Sequence, residues 1–208
     1  MYSNKKATLP GKIRARQATL IDMYREITGN TAIPSNKQYW TLCASQPNTE
    51  GSEINQLVKE KLLIKKQFYG VDTNKKHIKF NKQNHPGAHW VRGNWKDVIY
   101  RWENYDPALI YLDTMFSAGH QNAVDITIDT IRTPCKENTI IVVNVILINY
   151  KRGDSFEKEI FINNVRNAMT PMERKTWEFY PEGTKKFCYP YKSAVYLMGT
   201  YFLVRRKT

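Results

Sequence analysis

Cysteines and long hydrophobic runs are scarce in this 208-residue chain. The three cysteines, Cys43, Cys135 and Cys188, are far apart and form no C-x-x-C pair. This spacing argues against a disulfide framework or a zinc site and fits a reducing, cytoplasmic environment. No apolar run reaches the roughly 18 residues of a membrane span. The basic N-terminus lacks the hydrophobic centre of a signal peptide, so we expect no secretion.

Acidic residues are also few, with 19 Asp and Glu against 32 Lys and Arg, which gives a net charge of +13. Such an excess predicts attraction to polyanions, and nucleic acid is the commonest of these. An anionic membrane is an alternative partner, but no single helix pattern places basic residues opposite an apolar face. A soluble protein that is merely basic is a further alternative. The apolar content of 41% indicates a globular chain with one well-buried core.

The pattern of apolar residues alternates between strands and helices after residue 37. This order predicts a three-layer Rossmann-like sandwich, in which helices cover both faces of a mostly parallel sheet. The run 139–149 is apolar almost throughout, as in a strand buried on both faces. The last residues, 186–206, predict an antiparallel strand pair with a turn or bulge near Met198 and Gly199.

The N-terminal residues differ in composition from the rest of the chain. Residues 3–18 contain five basic residues around Pro10 and Gly11, which predicts a loose arm that leads into a helix. The arm either contacts phosphates or is a solvated terminus. We therefore divide the chain into a basic arm and helix, 1–36, and a domain, 37–208.

Three polar residues follow predicted strands. The run QFYGVD ends at Asp72, Asn94 follows a short strand near residue 91, and ALIYLDT reaches Asp113. Because the carboxyl ends of parallel strands share an edge, where open α/β sheets bind ligands, we expect these side chains to lie close together. Asp72 is either a carboxylate that binds a ribose or a cap for the next helix.

These residues resemble the motifs of the Rossmann-like class I S-adenosylmethionine-dependent methyltransferases, over roughly residues 38–204. In that family an acid at the end of the second strand holds the cofactor ribose, as Asp72 would, and Thr73 to Asn81 is similar to the helix that follows. The third strand of the family ends near the adenine, which corresponds to Asn94 and Trp95. Its fourth-strand motif faces the methyl group, which corresponds to Asp113 and Thr114.

The resemblance implies a seven-stranded sheet whose last strands form an antiparallel pair, and S-adenosyl-L-methionine as the cofactor. It implies catalytic roles for Asp113 and Thr114. The cofactor-binding residues that it implies are Ser45, Gln46, Gly51, Asp72, Thr73, Asn94, Trp95 and Asp113. Trp95 is also our candidate for stacking on adenine or on an exposed base.

The first loop departs from the family pattern. Its sequence CASQPNTEGSEI has a single glycine, Gly51, where the family usually has several. Close approach of the backbone to a cofactor is harder without glycine. Two hypotheses therefore stand: a methyltransferase that acts on RNA or DNA, and a catalytically inactive relative that binds nucleic acid or a protein. The hypothesis of a nicotinamide-dependent enzyme is weaker, because the first loop lacks the motif G-x-G-x-x-G.

The residues around Asp113 bear on the methyl acceptor. The sequence LDTM lacks the Pro-Pro expected for methylation of a base amine, which disfavours that acceptor. A ribose hydroxyl acceptor needs a lysine near the acid to lower the hydroxyl pKa. By position, the candidates are Lys37, Lys151 and Lys192. We predict no metal site, because Pro86 and Gly87 separate His85 from His89.

Overall fold

The computed structural model describes residues 10–117, 119–147, 154–180, 185–191 and 194–206. A π-helical turn, Gln17–Asp22, joins the first two helices, and a short 3-10 turn spans Lys65–Gln67. The helices are α1 (Pro10–Arg16), α2 (Met23–Thr28), α3 (Glu53–Lys59), α4 (Lys75–Asn84), α5 (Trp95–Arg101), α6 (Gln121–Ile131), α7 (Asp154–Ala168) and α8 (Pro171–Thr176). The strands are β1 (Gln38–Leu42), β2 (Phe68–Asp72), β3 (His89–Arg92), β4 (Pro107–Ser117), β5 (Ile140–Leu147), β6 (Trp177–Phe179), β7 (Lys185–Tyr191) and β8 (Ala194–Arg205).

The strands form one mixed sheet in the order β3-β2-β1-β4-β5-β8-β6, and β7 also pairs with β8. Strands β1 to β5 are parallel, whereas β8 is antiparallel to β5, β6 and β7. Strand β5 pairs with one edge of β8. Strands β6 and β7 therefore share the other edge of β8. The eight strands therefore take seven positions across the sheet. This arrangement confirms the predicted mostly parallel sheet with an antiparallel C-terminal pair.

The strand order reverses between β1 and β4. The chain adds β2 and β3 on one side of β1 and then returns to add β4 on the other. In open α/β sheets the carboxyl ends of the strands at such a reversal leave a crevice between the loops that follow them. The candidate site therefore lies beyond Leu42 and Asp113.

Two hydrophobic cores fill the faces of the sheet. Successive residues of β5 alternate between them: Ile141 and Val143 pack with α5, α6 and α7, whereas Ile140 and Val142 pack with α2, α3 and α4. This alternation confirms that β5 is buried on both faces. The helices before residue 36 join the second core, where Leu20 and Ile21 are fully buried. The boundary after residue 36 stays a prediction.

Helix ends follow the local sequence signals. Ser52 accepts a hydrogen bond from Asn55 N at 3.4 Å and caps α3. Gly29 ends α2 with φ of 71°, a left-handed conformation that glycine adopts without a steric penalty.

Three sequence predictions are wrong. Residues 10–18 are helical rather than part of a loose arm, because α1 buries Ala15 and Arg16 against the domain; residues 1–9 lie outside the described part of the chain. Strand β4 does not stop at Asp113 but continues to Ser117 after a shift in its register with β5. Met198 and Gly199 form no turn, since β8 pairs with β5 through both of them.

No helix within the described ranges is both long enough and apolar enough to cross a membrane.

The close packing of β2 against β3 yields a test of the fold. A Cβ at Gly70 would lie 2.5 Å from the Trp90 ring and 2.7 Å from Cys43 Sγ. We expect Gly70→Ala to lower the free energy of unfolding by about 1–3 kcal/mol, because the core must move to admit the methyl group. Urea denaturation measures the change. Gly87→Ala is the control, since its Cβ would meet only the Lys65 side chain at 3.6 Å. Equal stability of the two variants would contradict the packing.

Candidate functional site at the carboxyl edge of the sheet

Asp72 ends β2 and is held by the chain that follows it. Its Oδ1 accepts a hydrogen bond from Asn74 N at 2.8 Å, and its Oδ2 lies 2.7 Å from His77 Nδ1. The side chain that caps α4 is that of Asn74, which accepts from Lys76 N at 2.9 Å. Of the two interpretations of Asp72, the helix cap is therefore the wrong one. Each carboxylate oxygen can accept more than one hydrogen bond, and the side chain is 15% exposed.

Asn94 and Trp95 follow β3 but have different surroundings. Asn94 is exposed and begins α5 without a capping hydrogen bond from its side chain. Trp95 is 3% exposed, lies edge-on to Trp40, and donates from Nε1 to Thr130 Oγ1 at 2.8 Å. The prediction that Trp95 offers a stacking face is wrong, because its ring belongs to the core. Asn94 alone remains available to a ligand at this strand end.

The Asp113 side chain at the switch point pairs with a cation from α1. Lys12 Nζ lies 3.3 Å from Asp113 Oδ2, and the two side chains are 25% and 21% exposed. Asn144 Nδ2 also donates to Asp113 Oδ1 at 3.4 Å. Thr114 is 3% exposed, and its hydroxyl donates to the Asn144 carbonyl at 2.6 Å. The structure therefore contradicts a catalytic role for Thr114, because its hydroxyl is buried and already bonded to β5.

The glycine-poor loop after β1 is held by side chains rather than by tight turns. Gln46 is 4% exposed; its backbone N–H donates to Asn81 Oδ1 at 2.7 Å, and its own Oε1 accepts from Glu53 N at 3.0 Å. The carbonyl of Gly51, which is buried, accepts from Arg16 at 3.1 Å. Gln46 and Gly51 therefore shape the loop, whereas Ser45 is half-buried and Thr73, beyond β2, is exposed.

Helix α4 holds this loop from its buried side. Asn81 is fully buried, and its Nδ2 also donates to the Ala44 carbonyl at 3.1 Å. His85 Nε2 lies 3.1 Å from the Gln46 carbonyl, and burial lowers the pKa of His85, so the neutral imidazole donates there. In the sequence, Asn81 stands out only as part of a helical pattern. A buried asparagine on the inner face of an otherwise lysine-rich helix was the available signal.

A buried acid lies beneath the loop. Glu53 is 4% exposed, and its Oε1 accepts a hydrogen bond from the Tyr39 hydroxyl at 2.8 Å. Burial raises the pKa of Glu53, the charge of Asp113 adds to this rise, and the charge of Arg16 opposes it. Burial and the neighbouring Glu53 also raise the pKa of Tyr39. Both groups are therefore held in their neutral forms more strongly than they would be in water.

Asn144 organises the polar groups on the β5 side of the crevice. Its Nδ2 donates to the Tyr111 hydroxyl at 2.5 Å, and its Oδ1 accepts from the Thr200 hydroxyl at 2.6 Å. All three of these side chains are buried. Because the amide is bonded on both sides, Asn144 presents a single orientation of its N–H donors toward Asp113.

Helix α1 lies across the carboxyl ends of β1 and β4. Lys12 contacts Asp113, while Arg16, which is 4% exposed, donates to Gln56 Oε1 at 3.3 Å as well as to the first loop. Gln56 Nε2 returns a hydrogen bond to the Ile13 carbonyl at 2.8 Å. Of the basic residues of the predicted arm, Lys12 and Arg16 thus bind groups of the domain itself, Arg14 is exposed, and Lys5 and Lys6 lie outside the described residues. Sequence reasoning missed this contact, because Lys12 and Asp113 are 101 residues apart.

The other predicted residues lie elsewhere. The prediction that Lys37 lies near the acceptor hydroxyl is wrong. Lys37 Nζ lies 2.6 Å from Asp106 Oδ1 at the amino end of the sheet, away from the crevice. Lys151 and Lys192 lie outside the described residues. His120 caps α6 and stacks on Phe116 with 4.9 Å between ring centroids. The described ranges contain no group of three His, Cys, Asp or Glu side chains arranged for a metal ion.

The site has one half that matches a nucleoside and one that is built differently. Asp72 and Asn94 offer a carboxylate and an amide at the ends of neighbouring strands, which suits ribose hydroxyls and adenine nitrogens. Past β1, however, side chains of α1 and α4 occupy the backbone groups that several glycines would leave open. The residues present fit the adenosine part of S-adenosylmethionine better than its methionine part.

The burial of Glu53 yields a pH-dependent test. A carboxyl group whose pKa is higher in the folded than in the unfolded chain stabilises the fold at low pH, and that stability is lost as pH rises through the folded pKa. Glu53→Gln keeps an acceptor for Tyr39 but cannot ionise. We expect its free energy of unfolding to rise relative to wild type between about pH 4 and pH 7, in urea titrations. Glu137→Gln, at an exposed position, is the control. A difference that does not change with pH would contradict the assignment.

Comparison with solved structures identifies the fold. The plantazolicin methyltransferase BamL, solved with a triazolic desmethylPZN analog and SAH, has a TM-score of 0.60 and 11% identity over 98% of this chain and 88% of that one. The Methanococcus jannaschii fibrillarin pre-rRNA processing protein has a TM-score of 0.52 and 10% identity over 84% and 70% of the two chains. For TrmN from Thermus thermophilus the values are 0.55 and 9%, over 97% of this chain and 52% of that one.

No protein-family model matches the chain, and no curated protein matches it in sequence. At such low identities the likeness establishes the fold alone. The order of strands, the antiparallel C-terminal pair and the position of the acid after β2 agree with it. The chain therefore has the class I S-adenosylmethionine-dependent methyltransferase fold.

Proposed function

We propose that the chain is an S-adenosylmethionine-dependent methyltransferase that acts on nucleic acid. The observation that carries the proposal is the placement of Asp72, Asn94 and Asp113 at or near the carboxyl ends of parallel strands around the point where the strand order reverses. Ligands of open α/β sheets bind there. The structure of BamL, which shares this fold, was solved with SAH, and that agrees with the proposal.

Named residues have separate roles in this proposal. Asp72 accepts hydrogen bonds from the ribose hydroxyls of the cofactor, and Asn94 bonds to its adenine. Thr73 and Ser45, which are exposed and half-buried, line the same edge. The cofactor supplies a methyl group that is already activated as a sulfonium, so the protein mainly has to align the acceptor with it.

The Lys12–Asp113 pair supports a hydroxyl as the methyl acceptor. A lysine ammonium next to a bound hydroxyl favours its oxyanion and lowers its pKa. Asp113 is placed to accept the proton that the hydroxyl loses, and Asn144 orients that carboxylate. Lys12 thus has the role in this proposal for which the sequence suggested Lys37, Lys151 or Lys192.

The charge of the chain supports a nucleic acid substrate. A net charge of +13 attracts a polyanion before any specific contact forms. Fibrillarin, whose name describes it as a pre-rRNA processing protein, shares the fold. RNA and DNA are both to be tested as acceptors. A cytoplasmic location stays part of the proposal and rests on the spacing of the cysteines.

A second candidate function has an observation in its favour. Helix α1 lies across the crevice. The Gly51 carbonyl already accepts a hydrogen bond from Arg16, and the Gln46 N–H already donates to Asn81. A chain with this arrangement that binds no cofactor would be a binding protein on the methyltransferase scaffold. Methyl transfer from labelled S-adenosylmethionine to any RNA or DNA rules this candidate out.

Removal of the Asp72 carboxylate tests cofactor binding. We expect wild type to bind SAH in calorimetric titration and Asp72→Ala to bind it about 10- to 100-fold more weakly, because two hydrogen bonds to a charged group are lost. Asp97→Ala, an exposed acid on α5, is the control for the change in charge. Thermal melting shows whether the fold persists. Wild-type protein that gives no heat at millimolar SAH would sink the methyltransferase proposal.

Removal of the Lys12 ammonium tests the acceptor chemistry. We expect Lys12→Met to lower the rate of methyl transfer to nucleic acid by about 100-fold while SAH affinity stays unchanged, because the oxyanion loses its cation. Lys12→Arg keeps the charge and should recover part of the rate, with a shifted pH profile. If SAH affinity and melting temperature fall together with the rate, Lys12 has a structural role only.

A further inference from the structure

The outer face of α4 is strongly basic. Residues 61–96 contain a single acid, Asp72, and nine basic residues: Lys61, Lys65, Lys66, Lys75, Lys76, Lys79, Lys82, Arg92 and Lys96. Four of them, Lys75, Lys76, Lys79 and Lys82, lie on α4, and all four are exposed. We call these four side chains the α4 lysine face.

The α4 lysine face has a regular spacing. Lys75, Lys79 and Lys82 follow each other at intervals of four and three residues, so they lie on one side of the helix. The rise of 1.5 Å per residue spreads them over about 10 Å of helix axis. Lys76 lies beside this row, one residue further along than Lys75. A row of ammonium groups of this length matches several consecutive phosphates of a nucleic acid strand.

The lysines of this face have no acidic partners within the described residues. The lysines that do form ion pairs there are Lys12, Lys37, Lys59, Lys96 and Lys136. Asp72 is the acid closest in sequence to the α4 lysine face, and its carboxylate is bonded to Asn74 and His77. The field of the four ammonium groups is therefore not cancelled by neighbouring acids on the helix.

The positive surface extends beyond the end of α4. Lys65 and Lys66 are exposed in the 3-10 turn before β2. A methyl group placed on Gly87 would lie 3.6 Å from Lys65 Cβ, so Lys65 lies beside the loop that follows α4. At the other end of the helix, Arg92 donates to the Thr73 carbonyl at 3.4 Å and brings a further cation next to the end of β2.

The inner side of the same helix contacts the candidate site. Asn81 bonds to both Ala44 and Gln46 in the loop after β1, and Lys75 follows Asp72 by three residues. A nucleic acid strand bound along the α4 lysine face would thus run beside the crevice. Phe80 is the one apolar side chain of the helix that is partly exposed; the rest of the outer face is polar, which disfavours insertion into a membrane surface.

We infer that the α4 lysine face, extended by Lys65 and Lys66, is the surface on which the phosphate backbone of a nucleic acid docks. This inference rests on the proposed function for the type of partner but not for the chemistry. Docking here positions the strand without reading its bases, so affinity depends on salt and little on sequence.

The test compares two variants of equal charge. The first carries Lys75→Gln, Lys76→Gln, Lys79→Gln and Lys82→Gln; glutamine and lysine have similar helix propensities, so α4 is retained. The control carries Lys59→Gln, Arg101→Gln, Lys136→Gln and Lys175→Gln, which removes four charges from exposed positions outside residues 61–96. Fluorescence anisotropy with labelled single-stranded and duplex RNA and DNA gives the dissociation constants at several salt concentrations.

Near 0.1 M salt, we expect the α4 variant to bind nucleic acid at least about tenfold more weakly than wild type. The plot of log association constant against log salt concentration has a negative slope, and we expect its magnitude to decrease by about 3. The control should lose much less of both. An equal loss in the two variants, or none in the α4 variant, overturns the inference. So does binding to vesicles of anionic lipid that exceeds binding to nucleic acid and depends on the α4 lysine face.

The outcomes separate the docking surface from the proposed function. If the α4 variant loses nucleic acid binding while wild type transfers no methyl group, the docking surface stands and the enzyme proposal fails. If wild type methylates RNA or DNA and the α4 variant does so with unchanged KM, the reverse holds. Circular dichroism and SAH titration confirm that both variants fold.

Discussion

The parallel pairing of β1 with β4 determines where the candidate functional groups lie. Residues Tyr39 to Thr41 pair with Leu109 to Tyr111, and the chain reaches this pairing only after it has built β2 and β3 on the other side of β1. The crevice that results has Asp72 on one side and Asp113 on the other. Neither acid acquires a partner from its own strand; each is bonded by a neighbouring element, α4 for Asp72 and α1 for Asp113.

The loop after β1 shows how side chains can replace glycine. A glycine-rich loop lets the backbone approach a ligand because no Cβ intervenes. Here Asn81, His85 and Arg16 bond to the loop backbone instead, which satisfies buried polar groups that would otherwise be costly. The loop is thereby tied to α4 and α1. A cofactor that binds in the crevice has to fit around these bonds or exchange some of them.

Local signals in the sequence predict the elements well and the contacts between them poorly. Apolar periodicity and the cap at Ser52 place the strands and helices, because these depend on residues a few positions apart. Asp72 was identified by its position at a strand end, although only the structure shows that Asn74 takes the capping role. The Lys12–Asp113 pair joins residues 101 positions apart, so no local pattern reveals it. The prediction that Trp95 offers a stacking face failed for a related reason, since its burial depends on Trp40 and Thr130 from other elements.

The two sides of helix α4 have different surroundings. The inner side holds buried Asn81, which bonds to the loop after β1. The outer face of α4 carries four exposed lysines that form no ion pair within the described residues, so this face attracts negative charge. Because Asn81 joins the inner side of α4 to the first loop, the helix that carries the proposed docking surface also shapes the candidate site.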